Sequence, residues 1–216
     1  MPKVAFFALF VFLKLSSNSF AQNCALSGTP GWSEQLRNVI ADCDNRFVSP
    51  DGKLVLRIDI KGKIRVIEVA SQRKLRIHSR AVEPPAMVSW SPNSDAFFVN
   101  DGEGSGMSSA FRLFRIRDSR IEEDGATARK AVVLYRGQFK CSPSAVDPNV
   151  WGMGWTPDGF RFHLLVQATV NQPCGEQGSF IGMTIKLDDG SVFEMLSEEA
   201  TRRQFHTILP REVYSN

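Results

Sequence analysis

The chain holds little of what chemistry at a protein surface usually requires. Its 216 residues include only three histidines and four cysteines. Neither set is spaced for a metal: there is no Cys-x-x-Cys, no His-x-x-x-His and no Glu-x-x-His, and His78, His163 and His206 fall in separate segments. No Gly-x-Ser-x-Gly elbow marks a serine nucleophile. The net charge is only +3, and the basic residues are dispersed, which excludes the concentrated positive surface that nucleic acid needs. No apolar run approaches the roughly 20 residues of a membrane-spanning helix, so no permanent span is expected.

What is present begins with an export signal. Lys3 precedes an apolar stretch from Val4 to Leu13, and Ser19 and Ala21 place small residues at −3 and −1 before Gln22. Residues 1–21 therefore read as a cleaved secretory leader and 22–216 as a single domain of about 195 residues, close to charge neutrality. Ala21-Gln22-Asn23 lacks the small residue that a lipobox places beside its cysteine, so Cys24 is read as a disulfide partner. In a periplasmic or extracellular chain, Cys24, Cys43, Cys141 and Cys174 are expected to be oxidised. Cys24 with Cys43 and Cys141 with Cys174 is the favoured pairing; bonds joining the two ends of the chain are the alternative.

Three turns share one grammar: Ser49-Pro50-Asp51-Gly52, Ser91-Pro92-Asn93-Ser94 and Thr156-Pro157-Asp158-Gly159. Proline presets the φ of the second turn residue, and Asp, Asn or Gly tolerates the backbone conformation needed at the third and fourth. Asp51 and Asp158 are expected to bond backbone amides within their own turns. Around these turns the chain reads as strands. Lys53–Ile60 and Lys63–Val69 form a hairpin about Lys61-Gly62, with Lys74–His78 as a third, outer strand. Ala86–Trp90, Ala96–Val99 and Ala110–Ile116 form a second unit. Residues 117–130 read as a charged, strand-poor connection before a strand at Ala131–Tyr135. Trp151–Trp155, Phe160–Val170, Phe180–Leu187 and Ser191–Leu196 form a third. The spacing of Leu36, Val39 and Ile40 predicts a short helix capped by Ser33, and Ser197 with Glu198 and Glu199 predicts a final helix to His206.

Two of the turns come directly after tryptophan, as Trp90-Ser91-Pro92 and Trp155-Thr156-Pro157. This W-S-P-D-G-like turn between an inner strand and a second apolar strand resembles the repeats of TolB-type and WD-like β-propellers over residues 45–196, although the first copy has Phe47-Val48 in place of tryptophan. The resemblance implies an all-β, mainly antiparallel fold: a propeller-like array of three to four blades with short terminal helices. The turns are about 40 and then about 65 residues apart, so the second interval holds an insertion or a degenerate blade. A β-sandwich is the alternative fold.

Asp101-Gly102-Glu103-Gly104-Ser105-Gly106 alternates oxygen side chains with glycines and loosely resembles the start of a calcium loop, which makes Asp101, Glu103 and Ser105 the metal candidates. Arg112 stands where such a loop requires its bidentate acid. A phosphate cradle is disfavoured, because these glycines run from strand to strand rather than into a helix. Trp151 and Trp155 lie four residues apart and are expected on one face of a strand, as a stacking platform or as packing. With no catalytic constellation in view, the expectation is an exported, non-enzymatic binding or protein-interaction module, without cofactor unless calcium, whose partner is another exported or envelope protein. Open sheet edges offer a route to a homodimer. The loops at 101–109 and 117–130 are the expected recognition surface. The alternatives are a hydrolase with acids from separate blades, or an inhibitor or immunity-type protein.

Overall fold

A computed structural model of the chain describes residues 30–31, 34–104, 109–139, 141, 146–168 and 179–206. These are mostly β. In chain order the elements are β1 (Arg37–Val39), β2 (Asn45–Val48), β3 (Leu54–Ile58), β4 (Ile64–Glu68), β5 (Arg76–Ile77), β6 (Ala86–Trp90), β7 (Ala96–Asp101), β8 (Ala110–Arg117), β9 (Arg120–Asp124), α1 (Gly125–Phe139), β10 (Asn149–Trp155), β11 (Arg161–Gln167), β12 (Phe180–Lys186), β13 (Val192–Leu196) and α2 (Glu198–Phe205). Three antiparallel meanders of consecutive strands result: β2-β3-β4, β6-β7-β8-β9 and β10-β11-β12-β13. The short β1 adds to the β6 edge of the second, and β5 adds in parallel to its β9 edge.

The middle sheet is buried on both faces, and its sequence shows why. Ala96-Phe97-Phe98-Val99 in β7 is continuously apolar, and every residue of that strand is buried. Phe97 packs towards the first sheet with Phe114, Leu56 and Val66, its ring stacked on Phe114 at 4.7 Å. Phe98 points the other way, into a core shared with the third sheet and α1, against Phe111 at 5.3 Å and Trp155 at 5.5 Å. A third, smaller cluster of Met153, Leu165, Phe180 and Phe205 lies beneath α2. The final helix matches its expectation: Ser197 caps it, accepting from the Ala200 amide.

Several expectations are corrected. Residues 37–39 form a strand rather than a helix, because the exposed inner edge of β6 offers Ala86 and Val88 as partners for Val39 and Arg37. Ala131–Tyr135 is helix, not strand. Asp124 caps α1 by accepting from the amides of Ala126 and Thr127, and Thr127, Ala131 and Tyr135, spaced by four, form its buried face. The supposed strand-poor connection at 117–130 is therefore β9 plus the start of α1. Of Lys74–His78 only Arg76–Ile77 is strand, and it pairs with β9 rather than extending the first hairpin, to which this stretch is tied by an isolated bridge from Lys74 to Ile67 and by Leu75, packed with Leu56 and Val66. Among the described residues the helices thus stand within the chain and after the third meander, and none precedes the first.

Candidate interaction surface

The three Pro turns occupy equivalent places, each joining the first and second strands of its meander, and their bonding is nearly superimposable. The residue before each proline accepts from the residue three positions on: Gly52 to Ser49 at 2.9 Å, Ser94 to Ser91 at 3.0 Å, Gly159 to Thr156 at 2.9 Å. Its hydroxyl accepts the amide five residues on, from Leu54, Ala96 and Arg161. The same hydroxyl donates to an acid: Asp51 at 2.7 Å, Asp95 at 2.8 Å and Asp158 at 2.5 Å. Asp51 and Asp158 also accept amides of their own turns, from Lys53 and Phe160. The Ser49 hydroxyl and the Lys53 amide hold Asp51 down to about 2, and the Thr156 hydroxyl holds Asp158 below the usual carboxylate range.

The turns are also bonded to one another. The Asp51 amide donates to the Ser94 hydroxyl at 3.1 Å, and the Asn93 side chain donates to the Asp158 carbonyl at 2.8 Å. This gathers the three turns at one end of the molecule and brings the first strands of all three meanders around a groove of about 510 Å³. Its lining includes Arg37, Arg46, Val48, Trp90 and Trp155, with Glu34 as its acid.

A second groove, of about 600 Å³, opens between the second and third sheets. Phe160 and Phe193 line it, 66% and 54% exposed. The Arg161 guanidinium lies 4.5 Å from the Phe193 ring centroid and pairs with Asp158 at 3.3 Å. Arg115 is held by Asp124 at 2.7 Å, whereas Arg117 and Lys186, also in the lining, make no ion pair among the described residues.

The metal candidates face arginine. Asp101 is fully buried and bonds the Arg112 guanidinium at 3.0 Å, while Glu103 pairs with Arg80 at 3.1 Å; Ser105 lies outside the described residues. Arg112 is buried as well and donates to Glu123, Asp101 and the carbonyls of Arg80 and Ala81. Among the described residues no group of three or more His, Cys, Asp or Glu is placed to hold a metal. The two tryptophans are not on one face. β10 carries one extra residue between Gly152 and Gly154 relative to β11, and this bulge inverts the alternation: Trp155 enters the core shared by the second and third sheets, and Trp151 packs on the opposite side with Met153 and Leu165. Neither Cys43 nor Cys141 carries a free thiol, and Cys24 and Cys174 lie outside the described residues. The groove phenylalanines escaped the sequence reading because Phe160 follows a turn and Phe193 sits in an alternating strand, where burial is the usual expectation. No protein-family model matches the chain, and no curated protein matches it.

Proposed function

We propose that the chain is an exported, non-enzymatic protein-interaction module on TolB- and WD-like β-repeats, and that it holds its partner in the groove between the second and third sheets. The observation that carries this is the exposure of Phe160 and Phe193 in one groove, while the other described phenylalanines are buried or half-buried. Paired exposed aromatics rimmed by cations are the composition of a protein-binding hot spot. The repeat reading is supported by the identical place of the three turns in three antiparallel meanders. A hydrolytic role draws less support: among the acids with lowered pKa, Asp51, Asp158 and Asp189 are held by their own turns and Asp124 by Arg115 and the α1 cap, rather than converging on one cleft.

The partner we propose is another exported or envelope protein, met in the periplasm or outside the cell, where bonds between Cys24 and Cys43 and between Cys141 and Cys174 would persist. A photo-crosslinking residue at position 193 should give a discrete adduct that is lost in Phe160→Ser, while the same probe at exposed Ile60 gives none. Adducts of equal yield from both positions, or turnover of a glycan or peptide by the purified protein, would overturn the reading.

A further inference from the structure

The inner edges of the three meanders are treated differently. Each Pro turn bonds its first residue to the second strand of its meander, as Ser49 N–H to Leu54 C=O, Ser91 to Ala96 and Thr156 to Arg161, all at 2.9 Å. In an antiparallel ladder, residues one and three positions earlier therefore turn their N–H and C=O away from that strand, towards the inner edge. In the second meander β1 covers that edge from Val88 onward, with Arg37 opposite Val88 and Val39 opposite Ala86, while Trp90 lies beyond the end of β1. In the third, two side-chain amides occupy it. Gln35 accepts from the Trp155 amide and donates to its carbonyl, and Asn100 does the same at Gly152.

The equivalent positions of the first meander are Val48 and Arg46. Here β2 pairs only with β3; the Trp90 indole donates to the Phe47 carbonyl between the two positions at 3.2 Å, and no described residue outside β3 bonds the backbone of Val48 or Arg46. Both residues are exposed, Val48 by 58%, and both line the groove of about 510 Å³. The charged side chains of that groove are two arginines, Arg37 and Arg46, and one acid, Glu34. Arg46, Arg57 and Arg65 stand opposite one another across β2, β3 and β4, an arrangement of like charges that is unfavourable by itself. Asp44 and Asp59 pair with Arg57 and Arg65; Arg46 has no ion pair among the described residues, and Arg37, on the groove's other wall, donates only to backbone carbonyls.

We infer that the inner edge of β2 is a strand-acceptor site that takes a short, extended, acidic segment of a partner protein. The main chain of that segment pairs with Val48 and Arg46, and its carboxylates meet Arg46 and Arg37. Charge complementarity selects this occupant, since the edge supplies donors and acceptors to any strand but the walls favour an anionic one. The site is separate from the groove of Phe160 and Phe193 and does not depend on it.

The test uses the purified protein and two blocked hexapeptides, one alternating valine with glutamate and one alternating valine with lysine. The glutamate peptide should bind saturably, lose affinity as salt is raised, and slow amide exchange at Val48 and Arg46. Val48→Pro removes one main-chain donor that makes no ladder bond, a change that an edge strand tolerates, and should weaken binding about tenfold. Arg46→Glu, on an exposed side chain, should reverse the preference between the peptides. The inference is overturned if the Val48 and Arg46 amides are already protected in the peptide-free monomer, if the protein dimerises through this edge, if both peptides bind alike, or if neither binds below about 1 mM, which is at most about 4 kcal/mol of binding.

Discussion

The side-chain amide of Asn100 grips the backbone of Gly152 at both ends, accepting from its N–H at 2.7 Å and donating to its carbonyl at 2.8 Å. The two residues are 52 positions apart, and the contact locks β7 of the second sheet to the bulged strand of the third. Asn100→Leu removes both bonds and leaves a buried N–H and carbonyl without partners, a loss of about 2–4 kcal/mol. Urea denaturation should show a lower midpoint with an unchanged slope.

Gly152 is constrained from its other side as well. A Cβ there would approach within 2.5 Å of the Phe98 ring and 2.8 Å of Phe111. Gly152→Ala should therefore cost about 1–3 kcal/mol by overpacking. Combined with Asn100→Leu it should be non-additive, since both changes act on the same stretch of β10; an additive double mutant would separate the two contacts.

Arg112 and Asp101 form a buried ion pair whose side chains are 3% and 0% exposed. Arg112→Met leaves the Asp101 carboxylate buried without its main partner and should destabilise by about 3–5 kcal/mol, whereas pairing Arg112→Met with Asp101→Asn should recover part of the loss. A denaturation cycle over the four proteins reads this directly, and full additivity would show that the pair is not coupled.

His163 gives a pH dependence with a defined sign. It contacts Phe205 at 4.6 Å and Thr184 at 3.2 Å, and burial, helped by Arg161, pushes its pKa from 6.5 down to about 4. The unfolded chain then takes up a proton that the fold resists. Stability from this group is fully present above pH 6.5 and falls as pH drops from about 6.5 to about 4, by up to about 3 kcal/mol. His163→Gln should flatten that window, checked by denaturation midpoints from pH 7 to 4. The lowered pKa of Asp51, about 2, acts in a different range: its contribution is lost only as pH falls from about 4 towards 2.

The sequence carried the turns and hairpins because each is decided locally. Ser-Pro-Asp-Gly names its own hydrogen bonds, and Lys61-Gly62 closes a hairpin whose strands, Leu54–Ile58 and Ile64–Glu68, lie within the expected spans. It failed where distant groups decide. Ala131-Val132-Val133-Leu134-Tyr135 is β-prone in isolation, yet the cap from Asp124 and the single buried face through Thr127, Ala131 and Tyr135 make it helix. The bulge in β10 is fixed by partners on another sheet and at Gln35, so alternation alone placed Trp151 and Trp155 wrongly. The mainly antiparallel β architecture was legible; the two grooves were not, because they arise between sheets whose packing no short stretch encodes.

The middle turn differs from its neighbours in two side chains of consequence: Asn93, and Ser94, which stands in place of glycine and whose hydroxyl accepts from the Asp51 amide. Where the first and third have aspartate, it has Asn93, and its hydroxyl partner moves to Asp95. Only an amide can donate to the Asp158 carbonyl; a carboxylate in that place would set oxygen against oxygen. The three repeats are therefore not interchangeable copies. Their sequential order is written into donor and acceptor identity, and a chain rebuilt with the middle turn moved to either flank would assemble its meanders but not their junction.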